Sequence, residues 1–328
     1  EIAAIGAALG ASYGGHLGMT TTSGPGLALK TEMMGLALMA ELPLVVVNVQ
    51  RGGPSTGLPT KPEQADLLQA MYGRHGESPV PVIAAKSPSD CFDAAIEATR
   101  IAVTYRTPVL LLTDGFLANG TEPWLIPDVS KLPSIEPDQL QTFNAVDENG
   151  EPVLMPFARD PETLARPWIT PGTKNLMHRI GGLEKADGTG NVSYDYENHE
   201  HMINLRAQKI AGIKVADAEL EGDAEADTVV VGWGSTWGAI DAAIAIAGRD
   251  GFRAAHVHLR HINPFPANLG ELLARFDHVI VPEMNKGQLS KLLRAEFLVD
   301  AKTISNTRGQ PFNAHLLAQQ IGQLGGSR

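Results

Sequence analysis

Short runs of Val, Leu and Ile alternate with longer helical patterns along most of the chain. In the first third, apolar runs fall at 44–50, 81–86 and 108–113, and helices are predicted at 26–41, 62–73 and 89–105. Such alternation indicates βαβ units, whose parallel strands are buried on both faces and therefore appear as continuous apolar stretches. This part of the chain is predicted to be an α/β domain with a doubly wound parallel sheet.

The alternation stops near Pro123 and resumes after about Gly212. Between them the chain is rich in Pro, Gly, Asp, Asn and His, and only a helix near 197–210 is predicted. The resumed pattern predicts strands at 227–235, 254–259 and 278–283, with helices at 237–248 and 268–276.

Three regions follow from this pattern: an α/β domain at 1–122, a linker region at 123–212 and a second α/β domain at 213–328. A chain of 328 residues supports this division, because one hydrophobic core seldom organises so many.

Composition narrows the classes of function. The chain has 43% hydrophobic and 19% charged residues, too apolar for disorder, and no run approaches the roughly 20 apolar residues of a membrane span. A net charge of −11 without clustered Lys or Arg argues against a nucleic-acid surface. Cys91 is the only cysteine, so it cannot form an internal disulfide or hold an iron–sulfur cluster alone. We expect a cytoplasmic protein that acts without nucleic acid or membrane.

The segment "TTTSGPG" at 20–26 is the first candidate site. Ligands of doubly wound sheets bind beyond the carboxyl ends of the strands, and here a strand ends and a helix begins with Pro25. Free N–H groups at the helix start suit an anion or a carbonyl oxygen, and Thr22 and Ser23 add hydroxyls. Alternatively, Ser23 or Gly24 caps the helix.

Arg51 ends the next predicted strand and is followed by Gly52 and Gly53. A guanidinium pairs two-to-two with a carboxylate, and the glycines allow a ligand close to the backbone. The alternative is a strand-end arginine paired with a surface acid. Arg74 and His75, in "YGRHGESP" (72–79), are further candidates for contact with an acidic substrate.

Five longer motifs carry a resemblance to a known family: "TTTSGPG", "NVQRGGPSTGLPTKPEQADL", "RIGGLEKADGTGNVSYDYENHEHM", "LRHINPFPANL" and "VPEMNKGQL". Together they resemble the alpha subunit of 2-oxoacid:ferredoxin oxidoreductases, most closely the 2-oxoglutarate branch. The resemblance implies a thiamine diphosphate enzyme that decarboxylates a 2-oxoacid, passes electrons to ferredoxin and transfers the acyl group to coenzyme A. It also implies a pyrimidine-type cofactor domain, N-terminally incomplete here, and a transketolase C-terminal-like domain.

The resemblance assigns roles to the candidate residues. Glu1 matches the glutamate that activates the cofactor through the pyrimidine N1′, and its alternative is a carboxylate stabilised by a helix N-terminus. Thr22, Ser23 and Gly24 match cofactor-binding positions, and Arg51 matches the arginine that binds the substrate carboxylate. For the distal carboxylate of 2-oxoglutarate, the candidates are His75, Arg74 and Lys61, in that order.

Some parts of a thiamine enzyme are missing from the sequence. The Gly-Asp-Gly motif that holds diphosphate and Mg²⁺ has only "TDGF" (113–116) and Asn144 as a counterpart, which we interpret as a loop and not as a metal site. A beta subunit is therefore expected to supply diphosphate binding, Mg²⁺ and a [4Fe–4S] cluster in a heterotetramer. Because Glu1 begins a helical pattern without methionine or signal-peptide character, we expect a fragment of a longer polypeptide. The resemblance implies that the upstream part carries a gamma-type domain in the same polypeptide. The alternative function is a non-catalytic assembly or ligand-binding subunit.

Two strand ends of the second domain are further candidate binding sites. Gly232, Gly234 and Gly238 do not have the spacing of a dinucleotide loop, so tight strand-to-helix packing is favoured over an anion site. Arg260 and His261 are interpreted as packing residues between subunits, with contact to coenzyme A or to the linker left open.

Overall fold

Two five-stranded, mostly parallel sheets organise the protein in the computed structural model, which describes residues 1–326. The first region contains α1 (Ile2–Tyr13), β1 (Gly18–Thr22), α2 (Gly24–Ala40), β2 (Leu44–Gln50), α3 (Leu67–Tyr72), β3 (Val82–Ala84), α4 (Asp90–Tyr105), β4 (Pro108–Asp114) and α5 (Gly115–Asn119). Its strands pair in the order β1-β2-β4-β3, all parallel. The predicted α/β fold class is confirmed.

The apolar runs of the sequence are the central strands of this sheet. Val45 and Val46 are neighbours on β2 whose side chains point to opposite faces, and both are fully buried. All seven residues of β4 are buried as well. Helices on both faces therefore exclude water from both sides, which explains why these strands lack a polar alternation.

The linker region is irregular but packed against the first sheet region. It contains a short hairpin of β5 (Ala145–Val146) and β6 (Pro152–Val153) before α6 (Tyr196–Ala211), which confirms the helix predicted near 197–210. Trp168 is buried, and its indole N–H donates to the carbonyl of Ser12 at 3.1 Å. Arg166 is buried too, and its Nε donates to the carbonyl of Ala40 at 3.0 Å.

The remaining residues build the second sheet, in the order β12-β11-β8-β9-β7. The elements of this part of the chain are β7 (Leu220–Gly222), β8 (Thr228–Trp233), α7 (Trp237–Arg249), β9 (Ala255–Leu259), β10 (His261–Asn263), α8 (Leu269–Leu273), β11 (His278–Glu283), α9 (Gln288–Phe297), β12 (Ala301–Ser305) and α10 (Ala314–Gly325). Only the edge strand β7 is antiparallel to its neighbour in this sheet.

β10 lies in the second part of the chain but pairs with the first sheet, as its fifth strand. It pairs antiparallel with β3, with His261 opposite Ile83. The neighbouring Arg260 forms an ion pair with Asp90 at the start of α4, and the Nε2 of His261 lies 3.4 Å from Glu97 on the same helix. Arg260 and His261 thus pack the second region against α4 of the first within one chain, and the interpretation that they also pack between subunits stays a prediction.

The domains share one apolar core, which runs from Ile5 and Leu27 in the first region to Val231 and Val281 in the second. The two regions share this core, and β10 of the second region pairs with the sheet of the first. The domain boundaries at 122 and 212 therefore stay a prediction. Across residues 1–326, no helix has both the length and the apolar character of a membrane span.

Candidate functional site

Glu1 is held at the carboxyl end of β1 by two side chains. Its Oε2 accepts hydrogen bonds from the Thr22 hydroxyl at 2.9 Å and from the Lys30 ammonium at 3.0 Å. Lys30 also donates to the Glu1 carbonyl and to the hydroxyl of Thr20, both at 3.0 Å. The Glu1 side chain keeps 39% of its surface exposed, whereas the Lys30 side chain is fully buried. A carboxylate is thus fixed by protein contacts while one side stays open.

Gly26 makes room for this carboxylate on the first turn of α2. A Cβ at residue 26 would lie 2.0 Å from the Thr22 hydroxyl oxygen and 2.6 Å from the carboxyl carbon of Glu1. Any side chain at this position would therefore displace Glu1 or Thr22. The last glycine of "TTTSGPG" is explained by this close approach of the two side chains.

The charge of Glu1 is set mainly by Lys30. The hydrogen bond from Lys30 is the strongest influence, and it lowers the pKa of Glu1 below its ordinary value against the opposing effect of burial. The bond from Thr22 acts in the same direction. Glu1 is therefore a carboxylate at neutral pH.

The start of α2 is already faced by an acid. Ser23 is the N-cap residue, but its hydroxyl makes no capping bond, so the expected cap is present in position only. The carboxylate of Asp66 lies at Gly24, where a Cβ would come within 2.8 Å of an Asp66 oxygen. A negatively charged group would be repelled here, so this helix start suits a neutral or cationic group better than a phosphate.

Asp66, which lies against Gly24 just after β1, is also bonded to two residues of β2. Its Oδ2 accepts from the amide of Asn48 at 3.0 Å, and its backbone N–H donates to the side-chain oxygen of Gln50 at 3.2 Å. Burial raises the pKa of Asp66, and the bond from Asn48 and the charge of Arg51 oppose that effect.

Arg51 begins a loop, residues 51–66, that we call the arginine loop. Its Nε is buried and has no hydrogen-bond partner within residues 1–326. The loop is closed by backbone bonds from Gly52 to the carbonyl of Lys61 at 2.9 Å and from Leu58 to the carbonyl of Gly52 at 2.8 Å. The structure therefore offers a partly exposed guanidinium with an unsatisfied donor beside Asp66, in a loop of defined shape.

The second sheet holds the far end of the arginine loop. Gln64 is fully buried, its side-chain amide donates to the carbonyl of Trp233 at 2.8 Å, and its side-chain oxygen accepts from the N–H of Met284 at 3.0 Å. Gln288 adds bonds to Ala65 and Leu68 of 2.7 and 2.9 Å. The helix predicted over 62–73 begins only at Leu67, because these contacts fix the preceding residues in an irregular path.

Gln64 and Ile240 explain two of the three glycines that follow β8 or end it. Gly234 has φ +58°, and a Cβ there would lie 2.7 Å from the amide nitrogen of Gln64. A Cβ at Gly232 would lie 2.6 Å from Ile240 on α7. The arginine loop fills the strand end of β8, so the packing interpretation holds for Gly232 and Gly234, and the lack of space there disfavours an anion site. A Cβ at Gly238 would meet nothing within 4 Å, so packing does not explain that glycine.

Arg74 and His75 lie away from the Glu1 side chain. The guanidinium of Arg74 donates to the carbonyls of Ala70, Met71 and Ser78 at 2.8–3.0 Å, which gives it a structural role at the end of α3. His75 is exposed and faces Gly35 on α2, where a Cβ would lie 3.9 Å from its ring. Gly35 is eleven residues, or roughly 16 Å of helix, beyond Gly24. Their contact with substrate stays a prediction that this arrangement does not favour.

The "TDGF" segment has a local structural role. One oxygen of Asp114 accepts from the N–H groups of Phe116 and Leu117 at 2.8 and 3.1 Å, which caps α5. Its other oxygen accepts from the Ser235 hydroxyl of the second domain. Asn144 bonds to the backbone of Met155 in the linker region, so it does not join Asp114.

Sequence reasoning missed three residues of this site: Lys30, Gln64 and Asp66. Lys30 was discoverable, because it is a lone cation on a helix otherwise rich in Leu, Met and Ala, four residues after Gly26. Gln64 and Asp66 act through contacts with residues far away in the sequence, for which local patterns carry no signal.

Known proteins match both parts of the chain in sequence. Residues 1–194 match the thiamine diphosphate-binding family of pyruvate flavodoxin/ferredoxin oxidoreductases, and residues 226–323 match core domain II of pyruvate:ferredoxin oxidoreductase. The chain is 56% identical over 98% of its length to the 2-oxoglutarate oxidoreductase subunit KorA of Mycobacterium tuberculosis. It is 34% identical over 88% of its length to the 2-oxoglutarate synthase subunit KorA of Methanothermobacter thermautotrophicus and covers 75% of that subunit.

A solved structure has the same fold. The 2-oxoglutarate:ferredoxin oxidoreductase from Magnetococcus marinus, with 2-oxoglutarate, coenzyme A and succinyl-CoA bound, superposes with a TM-score of 0.90 at 36% identity over 98% of this chain. A split-gene transketolase superposes with a TM-score of 0.52 at 11% identity, which supports the fold alone. The chain spans 48% of the M. tuberculosis subunit and 55% of the M. marinus chain.

Proposed function

The chain belongs to the family of 2-oxoacid:ferredoxin oxidoreductase alpha subunits, and from this premise we propose that it is the alpha-subunit core of a 2-oxoglutarate:ferredoxin oxidoreductase. In this role it binds the pyrimidine end of thiamine diphosphate and the substrate carboxylate. The observation that carries the proposal is the Glu1 carboxylate, held by Lys30 and Thr22 with one face exposed. Such an acceptor suits a ring nitrogen that bears a proton.

The cofactor, when bound, supplies the nucleophilic carbon and the electron sink for decarboxylation. Glu1 would accept a hydrogen bond from a protonated pyrimidine nitrogen of the bound cofactor and so hold that proton in place. Thr22 holds the carboxylate, while Ser23 and Gly24 line the approach to it at the start of α2. These residues fit the pyrimidine end of the cofactor, because Asp66 disfavours phosphate at the same helix start.

Arg51 is the proposed ligand of the 1-carboxylate of the 2-oxoacid. Its buried Nε has no hydrogen-bond partner within residues 1–326, and a carboxylate would satisfy that donor together with a second one from the same guanidinium. For the distal carboxylate of 2-oxoglutarate, Lys61 becomes the first candidate, because its carbonyl is bonded to Gly52 beside Arg51. His75 and Arg74 follow it, since each lies against other parts of the protein.

The rest of the reaction is assigned to other parts of the assembly. A beta subunit would supply diphosphate binding, Mg²⁺ and a [4Fe–4S] cluster, since the one cysteine cannot hold a cluster and Asp114 serves as a helix cap. Electrons would pass to ferredoxin and the acyl group to coenzyme A, in a cytoplasmic complex with a gamma-type domain. The names of two relatives support ferredoxin as the electron acceptor, and the M. marinus structure supports coenzyme A as the acyl acceptor.

Exchange of Arg51 tests the proposal in the full-length protein assembled with its beta subunit. Arg51→Lys keeps the positive charge but loses the paired N–H donors of the guanidinium, so kcat/KM for 2-oxoglutarate and for pyruvate should both fall. Arg51→Ala should lower both further, because removing one partner of a desolvated charge pair costs about 2–5 kcal/mol, or roughly 30-fold to several thousandfold.

Arg253→Lys is the matched control, because Arg253 pairs with Asp223 on the exposed surface of the second domain. Its kcat/KM should equal that of the unmodified enzyme. If Arg51→Lys also leaves both values unchanged, Arg51 is a structural residue. If the assembled protein binds no thiamine diphosphate and lacks the brown colour of a cluster, the alternative of a non-catalytic subunit is preferred.

A further inference from the structure

Lys30 is the most deeply buried charged group of the Glu1 site. Its side chain has no exposed surface, and its ammonium lies 3.0 Å from each of three oxygens: the Glu1 carboxylate, the Glu1 carbonyl and the Thr20 hydroxyl. An ammonium has three N–H donors, so each donor has an acceptor. A lysine is seldom fully buried unless it is paired, and here all of its partners serve to fix Glu1 against β1.

The two oxygens of Glu1 have different environments. Oε2 accepts both protein hydrogen bonds, from Lys30 and from Thr22. Oε1 has no protein hydrogen-bond partner among residues 1–326 and lies against Gly26, with part of the side chain exposed. The protein thus uses one oxygen to hold the group and leaves the other oxygen for a ligand.

We propose that Lys30 is a positioning residue that keeps Glu1 a carboxylate and directs Oε1, as an acceptor, toward an N–H donor of the ligand. This inference rests on the proposed function and refines it. The proton between Glu1 and the pyrimidine then belongs to the ring nitrogen, so the site selects a ligand with a protonated nitrogen heterocycle. A protonated Glu1, acting as a donor, is the arrangement that Lys30 opposes.

Other charged groups do not account for the state of Glu1. Lys30, on α2, is the one charged side chain bonded to it within the described residues, and β1 contributes the neutral Thr20 and Thr22. Removal of Lys30 would leave burial opposed mainly by Thr22, so the pKa of Glu1 would rise.

The test uses the full-length protein with its beta subunit, first without cofactor. Isotope-edited infrared spectra report the carboxyl bands, and subtraction of the Glu1→Gln spectrum isolates Glu1. In Lys30→Met, which has a similar shape but no charge, the titration midpoint of Glu1 should rise by about 1–3 pH units. An unchanged midpoint would overturn the role of Lys30.

Two controls separate position from folding. Lys209→Met removes another fully buried lysine, paired with Glu41 near the opposite end of α2, and should destabilise the protein while leaving the Glu1 midpoint unchanged. Lys30→Arg restores a positive charge and should restore a low midpoint. A high midpoint in Lys30→Arg would contradict the assigned electrostatic role.

A further measurement needs no variant at Lys30. When thiamine diphosphate is added to the unmodified assembly at pH 6–8, about the range in which such sites work, the Glu1 carboxylate band should persist. Appearance of a protonated-acid band would overturn the proposal. Failure of thiamine diphosphate to bind would instead count against the proposed function, because the midpoint in the cofactor-free protein tests Lys30 separately.

Discussion

Replacement of Gln64 by alanine would test whether the second domain positions the arginine loop. The Gln64 side chain lies at the end of that loop and makes two buried bonds to the second sheet, one to the carbonyl of Trp233 and one to the N–H of Met284. Two residues later, Asp66 contacts Asn48 and approaches Gly24. Loss of the Gln64 side chain therefore loosens the segment that carries both Arg51 and Asp66, which keeps the backbone bond of residue 64 to Met284 and the Gln288 bond to Ala65.

The magnitude follows from the groups that would lose their partners. Gln64→Ala leaves the buried N–H of Met284 without a partner, whereas the Trp233 carbonyl still accepts from the Thr236 hydroxyl at 2.7 Å. One unsatisfied buried group costs about 1–3 kcal/mol, so the free energy of unfolding should fall by about that amount. A displacement of the guanidinium by about 1 Å should lower kcat/KM for the 2-oxoacid by roughly 100-fold.

The assay combines urea denaturation with steady-state kinetics of the full-length protein and its beta subunit. Asn268→Ala is the matched control, because Asn268 also makes two side-chain bonds to backbone groups, both on Ala218, without touching the arginine loop. Both variants should be less stable, but only Gln64→Ala should lose substrate capture. Equal kcat/KM values in the two variants would show that the second sheet does not position Arg51.

Three further predictions concern other parts of the molecule. Gly26→Ala should displace Glu1 and weaken thiamine diphosphate binding at least tenfold, whereas Gly10→Ala, where a Cβ meets nothing within 4 Å, should not; calorimetry distinguishes them. Lys209 and Arg159 hold the pKa of the buried Glu41 at about 2 despite burial, so stability present above about pH 4.5 should decline as pH falls toward 2, by up to roughly 3 kcal/mol in acid denaturation curves. The separately purified chain, with only Cys91, should contain no stoichiometric cluster iron by metal analysis, and such iron would refute the assignment of the cluster to a partner.

The sequence allowed the central strands to be predicted because burial on both faces leaves a local signal. The runs at 44–50 and 108–113 became β2 and β4 almost residue for residue. The three-residue strand β10 left no such signal, because its pairing with β3 depends on residues almost 180 positions away. Glu1 and Arg51 could be selected by resemblance to a family, but that resemblance did not identify the buried Lys30 that binds Glu1.

The pairing of β10 with the first sheet has a consequence for where the gene of this protein can be divided. Without this strand, β3 would be the edge of the first sheet, and its unpaired backbone groups would be a template for aggregation. A gene cut between the two family matches would remove β10 from the first product and expose that edge. The halves are therefore expected to be inherited and translated as one polypeptide, even though each has its own sheet. Gene fission in this lineage should occur outside the segment that joins β1 to β10.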